Sequence, residues 1–148
     1  MKISTRARYG TRAMLELALR YGNKPILVKD IAKSQGISRL YLEQLIVSLQ
    51  RAGLIKTIRG KKGGCVLARS PDKIKLSEVI STLEGSLAPS DCVTNINFCP
   101  RANLCVTRDI WIKLYEAIMR VLNSITLEDM VRCCKEKLKS AKIPIYYI

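Results

Sequence analysis

The chain has 148 residues, 48% of them hydrophobic, with six cysteines, no histidine and a formal net charge of +14; that length fits one domain plus an appendage and is enough to bury a core. It carries no signal-peptide pattern and no apolar run near the roughly 20 residues of a membrane span, so a cytoplasmic protein without membrane contact is expected, its cysteines metal ligands or core thiols rather than disulfides. Without histidine, Ser–His–Asp and Cys–His catalysis is excluded, and no glycine-rich nucleotide loop takes its place, so an enzyme is not expected.

The positive charge is unevenly spread. Residues 1–72 hold 15 Lys and Arg against 4 Asp and Glu, a net of +11, and the remainder nets +3. A membrane surface or RNA would also attract such a segment, but the sequence has neither an amphipathic Lys/Trp helix nor an aromatic-rich sheet motif. Duplex DNA fits better.

In chain order, Thr5 to Tyr21 is a predicted first helix whose apolar face joins Tyr9, Ala13 and Leu17 to Met14, Ala18 and Tyr21. Its outward Arg6, Arg8, Arg12 and Arg20 are either a solvated face or contacts to phosphates flanking a groove. Gly22 to Pro25 ends it. Val28, Ile31 and Ala32 begin a second helix, Gly36 supplies a turn, and Ser38 is placed to cap a third helix by accepting backbone N–H bonds. In the third helix Tyr41, Leu42, Leu45, Ile46 and Leu49 recur at spacings of three and four, so they face inward and leave Ser38, Arg39, Glu43 and Gln44 outside.

Two apolar runs, Leu54–Ile58 and Cys65–Leu67, then flank Arg59-Gly60-Lys61-Lys62-Gly63-Gly64. The glycines let the backbone turn and approach another surface closely. The clustered cations repel one another unless an anion such as phosphate is near. The pattern is a winged helix-turn-helix, with an ordinary helical hairpin as the alternative.

After the break Ser70-Pro71-Asp72, Leu76–Leu83 reads as a short helix with Ser77 near its start. Gly85 to Asn103 is a polar loop, Asp109 to Asn123 a long helix with a broad apolar face, and Thr126-Leu127-Glu128-Asp129 the capped start of a last helix. The expected fold is mainly α with a small β-hairpin wing. Residues 1–72 form the winged helix-turn-helix DNA-binding domain, 73–107 the connecting helix and cysteine-bearing loop, and 108–148 the dimerisation helix, final helix and C-terminal tail. One helix-turn-helix covers one half-site, so a homodimer on a palindromic operator is expected, with the Asp109–Asn123 helix as its contact; an internal core helix is the alternative.

Cys92, Cys99 and Cys105 carry the second chemistry. Thiols in a polar loop suit a sulfur-preferring metal, either zinc or an iron–sulfur cluster, with bare redox-active thiols as a third reading. The Cys-x2-Cys knuckle usual for structural zinc is missing, and the wide spacing favours a cluster. Cys134 falls on the stripe Leu127, Val131, Cys134, Leu138 and is expected in the core, Cys133 beside it is exposed or a ligand, and Cys65 is a packing residue.

Met1 through Gly10, the run Tyr41-Leu42-Glu43-Gln44-Leu45, Arg59-Gly60 before Gly63-Gly64, and Ile125 through Asp129 resemble the winged helix-turn-helix transcriptional regulators of the IscR/CymR/NsrR family, over nearly the whole chain. The resemblance implies a homodimeric transcription factor in which the positions of Ser38, Tyr41 and Glu43 read the major groove and that of Arg59 enters the minor groove. It also implies that Cys92, Cys99 and Cys105 hold an iron–sulfur cluster, [2Fe-2S] or [4Fe-4S], as in the IscR and NsrR branches; the CymR branch works without one. The IscR branch has a histidine where this chain has Arg108, and the NsrR branch an aspartate where it has Arg8. Arginine is a poor ligand because it stays protonated. The fourth ligand is left among Asp109, Asp91, Cys133 from either subunit, or a small molecule. The terminal Tyr147-Ile148 resembles tails that enter the active site of cysteine synthase, with a tail folded onto its own dimer as the alternative.

These readings make the chain a DNA-binding regulator, expected to be a repressor, of iron–sulfur or cysteine and sulfur metabolism genes. The alternatives are a cluster-free cysteine-metabolism repressor acting with cysteine synthase and a zinc-stabilised DNA-binding protein.

Overall fold

A computed structural model describes residues 2–141; the apolar tail, and with it the proposed cysteine synthase anchor, lies outside the described residues. The order is α1 (Thr5–Leu19), α2 (Val28–Gln35), α3 (Arg39–Arg51), β1 (Ile55–Ile58), β2 (Gly64–Leu67), α4 (Leu76–Glu84), α5 (Asp91–Thr94), α6 (Val106–Ser124) and α7 (Leu127–Ala141). The fold is mainly helical with one antiparallel hairpin, as the sequence led us to expect.

Ser4 caps α1 by accepting from the Ala7 N–H at 3.1 Å, satisfying one of the donors a helix start leaves free. The helix stops at Leu19, short of Tyr21, and Tyr21 is half exposed rather than part of the apolar face. Gly10 lets α1 approach α4: a Cβ there would lie 2.2 Å from Leu83 Cδ1. Gly36 adopts the left-handed conformation at φ 62°, and the Ile37 N–H returns to the Ala32 carbonyl at 2.9 Å. That turn sets α3 across α2.

Ser38 does occupy the N-cap position of α3, but its side chain makes no capping bond, a correction to the expected role. Leu42, Leu45, Ile46 and Leu49 are buried, each contributing roughly 2 kcal/mol of transfer free energy. In the wing, Ile55 pairs with Leu67 and Ile58 with Gly64. An isolated bridge between Ile26 and Cys65 adds the α1–α2 connection to the outer side of β2.

The expected irregular loop after α4 is more structured than its Pro and Asn content implied. It contains α5 and 3-10 turns at Ile96–Phe98 and Ala102–Leu104. The long helix starts at Val106, three residues before Asp109. Thr126 and Asp129 form the expected capping box: the Asp129 N–H donates to Thr126 Oγ1 at 3.2 Å, and the Thr126 N–H donates to Asp129 Oδ2 at 2.9 Å. A single core cluster reaches from Ala7 to Leu127 and Val131. No residue of α6 is buried among the described residues.

Candidate nucleic-acid interface and cysteine loop

The helix-turn-helix and wing meet in a cleft of about 430 Å³ whose lining includes Arg39 and Glu43 from α3 and Thr57, Ile58 and Gly60 from the wing. Arg39 Nε donates to Glu43 Oε1 at 2.7 Å, one turn apart along the exposed face of α3. Ser38, Arg39 and Gln44 are exposed, and Glu43 is partly so. Tyr41 is half-buried, its ring edge-on to Tyr9 at 6.2 Å, so it also braces α3 against α1. Leu40, 75% exposed at the start of α3, was not anticipated; its signal is an apolar residue off the buried stripe.

At the wing tip Arg59, Gly60, Lys61 and Lys62 are all exposed. The glycines' close approaches are to the protein's own backbone. A Cβ on Gly63 would lie 2.2 Å from the Ile58 carbonyl oxygen, and one on Gly64 would lie 2.6 Å from that of Ile26. The turn is therefore fixed by backbone contact, and its cations project from a firm base. Cys65 beneath it is buried, and burial pushes its thiol up, partly offset by the hydrogen bond with Thr57; it is a packing residue, as expected.

The arginines of α1 are ties more than free phosphate contacts. Arg6 Nη2 donates to Ser48 Oγ at 2.8 Å and Arg8 Nη2 to Thr5 Oγ1 at 3.1 Å. Arg12 donates to both the side chain and the carbonyl of Gln35 at 2.9 Å. Glu16, 2% exposed, was missed by sequence reasoning. It accepts from Arg20 Nη2 at 3.1 Å, Gln35 Nε2 at 2.7 Å and Ser34 Oγ, latching α1 onto the last turn of α2.

The three loop cysteines are each half-buried. Cys92 lies in α5 with Ser90 Oγ 3.3 Å from its sulfur, Cys99 follows the first 3-10 turn, and Cys105 is the N-cap of α6. The Thr107 hydroxyl, 3.1 Å from Cys105 Sγ, and then the Arg108 backbone N–H hold the Cys105 thiol below its usual range. Soft thiol donors of this kind fit zinc or an iron–sulfur cluster in type. Among the described residues no three His, Cys, Asp or Glu side chains are gathered closely enough to hold a single metal ion. Arg108 is instead structural, its Nε donating to the Cys92 carbonyl at 2.8 Å and tying α6 to α5. Asp91, Asp109 and Cys133 are exposed, and Cys134 is half-buried rather than fully in the core.

A recognition helix, a cation-tipped hairpin and a cleft between them define a winged helix-turn-helix DNA-binding protein. A family model named Rrf2, described as an iron-dependent transcriptional regulator, matches residues 3–133. The protein rrf2 of Nitratidesulfovibrio vulgaris is 43% identical over 132 residues, spanning 89% of this chain and 88% of its own. The structure of CymR, the global cysteine regulator of B. subtilis, superposes with a TM-score of 0.74 at 41% identity, covering 89% of this chain and 97% of its own. That of T. potens IscR gives 0.76 at 42% identity, covering 93% and 90%. The chain belongs to the Rrf2 family of transcriptional regulators, whose members bind DNA and are not enzymes. No helix among the described residues is long and apolar enough to cross a membrane.

Proposed function

We propose that this chain is a cytoplasmic, homodimeric repressor that reads a palindromic operator with Ser38, Arg39, Tyr41, Glu43 and Gln44 of α3 and with Arg59, Gly60, Lys61 and Lys62 of the wing. The observation that carries the reading is the shared cleft, where Arg39 and Glu43 stand beside the wing at Gly60. The two elements are thus presented together to one duplex, helix to the major groove and wing to the adjacent minor groove. The dimer rests on α6, which leaves Ile110, Trp111, Leu114 and Val121 exposed; apolar side chains repeated along 19 residues of helix favour a second apolar surface. Arg59→Ala should weaken operator binding measured by fluorescence anisotropy at least tenfold without changing the melting temperature. Unchanged affinity would refute the wing's role.

The genes controlled are those of iron–sulfur or cysteine and sulfur metabolism, and the cysteine loop is the sensing element. Cys92, Cys99 and Cys105 are the donors an iron–sulfur cluster would take, a reading supported by the likeness to T. potens IscR and by the family's description as iron-dependent. A bound cluster would supply redox- and iron-responsive chemistry to the loop that leads into α6. Anaerobically purified protein should then be coloured, and replacement of all three cysteines by serine should remove the iron. Retention of iron by that variant would refute the assignment.

A second reading, a repressor with no cluster, is favoured by the engagement of Arg108, which stands at the place of the IscR branch's histidine, with the Cys92 carbonyl. It predicts colourless, iron-free protein. In that reading the tail partners cysteine synthase, so deletion of Ile148 should abolish binding to cysteine synthase. A colourless preparation containing zinc would point instead to a zinc-stabilised DNA-binding protein.

A further inference from the structure

Adjoining the cleft shared with α3, with Leu27 and Gly63 common to both, lies a second, open cleft of about 630 Å³, lined by Arg20, Lys24, Lys61 and Lys62 with Asp30 as the one acid among its lining residues. Its two walls come from distant parts of the chain, the α1–α2 connection and the wing tip. They are brought together by the Ile26–Cys65 bridge, in which the Ile26 N–H donates to the Cys65 carbonyl at 3.1 Å and the Cys65 N–H to the Ile26 carbonyl at 2.7 Å. The arrangement depends on Gly64, where any Cβ would collide with the Ile26 backbone.

Four cations facing one open cleft with a single acid repel one another in the free protein. Arg20 is directed there by its bond to the buried Glu16, which uses one of its nitrogens and leaves the other donors of the guanidinium available. Lys24, Lys61 and Lys62 make no ion pair or side-chain hydrogen bond among the described residues. We propose that this cleft holds the DNA phosphate backbone flanking each half-site, beyond the base pairs that the wing contacts, so that Arg20 and Lys24 extend the operator footprint outward. The inference rests on the DNA-binding reading given above.

The occupant is a backbone rather than a base edge or a small anion because the cleft is open and continuous with the wing tip. A duplex reached by Lys61 and Lys62 needs only to continue along its own axis to meet Lys24 and Arg20. Such contacts carry affinity and salt dependence without sequence preference.

The test uses the intact dimer and two duplexes with the same operator core, one ending at the outer base pairs of the wing contact and one extended by about one helical turn, roughly 10 base pairs, on each side. The wild-type protein should bind the long duplex more tightly and with a steeper dependence of log affinity on log salt. Lys24→Gln should flatten that dependence by about 2 on the long duplex, near 0.9 for each of two symmetric phosphate contacts, and leave the short duplex unaffected. Lys24→Arg should restore it. Lys24 is exposed, so neither variant threatens folding. Equal slopes on the two duplexes, or an equal effect of Lys24→Gln on both, would overturn the proposal while leaving the operator reading intact. Failure of the wild type to bind either duplex would overturn both.

Discussion

Glu16 is the one buried acid among the described residues of the DNA-binding half. It accepts from Ser34 Oγ, from Gln35 Nε2 at 2.7 Å and from Arg20 Nη2 at 3.1 Å, joining the middle of α1 to the last turn of α2. Glu16→Ala removes the acceptor from two donors on α2. A hydrogen bond to a charged group contributes about 1.5–3 kcal/mol, but Ser34 retains its second acceptor, the Ile31 carbonyl at 3.1 Å. The half-exposed Arg20 pair adds only a few tenths of a kcal/mol. A loss of about 3 kcal/mol follows, or roughly 6–12 °C in melting temperature for a domain of this size. Glu16→Gln keeps one acceptor oxygen and should lose about half as much. Thermal unfolding followed by circular dichroism reads both. A Glu16→Ala protein melting within about 2 °C of the wild type would show that the latch does not hold α2 in place.

Three further outcomes follow from local geometry. Gly63→Ala forces a Cβ to 2.2 Å from the Ile58 carbonyl oxygen, so the wing turn must open; operator affinity should fall at least tenfold by anisotropy, and retained affinity would show that the turn is dispensable. Asp129 is held below the ordinary value of 3.8, chiefly by the Thr126 backbone N–H and then by the Thr126 hydroxyl and Arg132. Its contribution to stability is therefore present above that value and lost as pH falls through the lowered one. The melting-temperature gap between wild type and Asp129→Asn should close below about pH 4, and a gap constant to pH 2 would refute the assignment. Trp111→Glu places a charge on the exposed apolar face of α6 and should shift sedimentation from dimer toward monomer; an unchanged dimer would place the contact elsewhere.

The apolar periodicity of α3 was legible because Leu42, Leu45, Ile46 and Leu49 all answer to one local rule, burial of a helical stripe. The wing was legible because glycine and lysine clustered between two apolar runs leave few alternatives. Glu16 was not, since an acid between Leu15 and Leu17 reads as solvated until α2 supplies its donors from 18 and 19 residues away. The outer cationic cleft was hidden for the same reason: Lys24 and Lys62 are joined only by the long-range bridge at Ile26 and Cys65. Ser38 shows the converse, a residue type suited to capping that holds the position without making the bond. The Cys92, Cys99 and Cys105 spacing identified a thiol-rich loop, but spacing carries no information on whether three sulfurs gather about one ion, and among the described residues no such group occurs.

A homodimer that reads DNA through α3 and the wing requires an inverted repeat in its operator. Selection of bound sequences from a random duplex library, under both anaerobic and aerated conditions, reveals whether the bound DNA has that symmetry. Enrichment of one two-fold symmetric motif is expected, with half-site centres about one helical turn, or a multiple of it, apart, and it should be lost when Arg59 is replaced by alanine. Enrichment of an asymmetric single site, or of nothing under either condition, would contradict it.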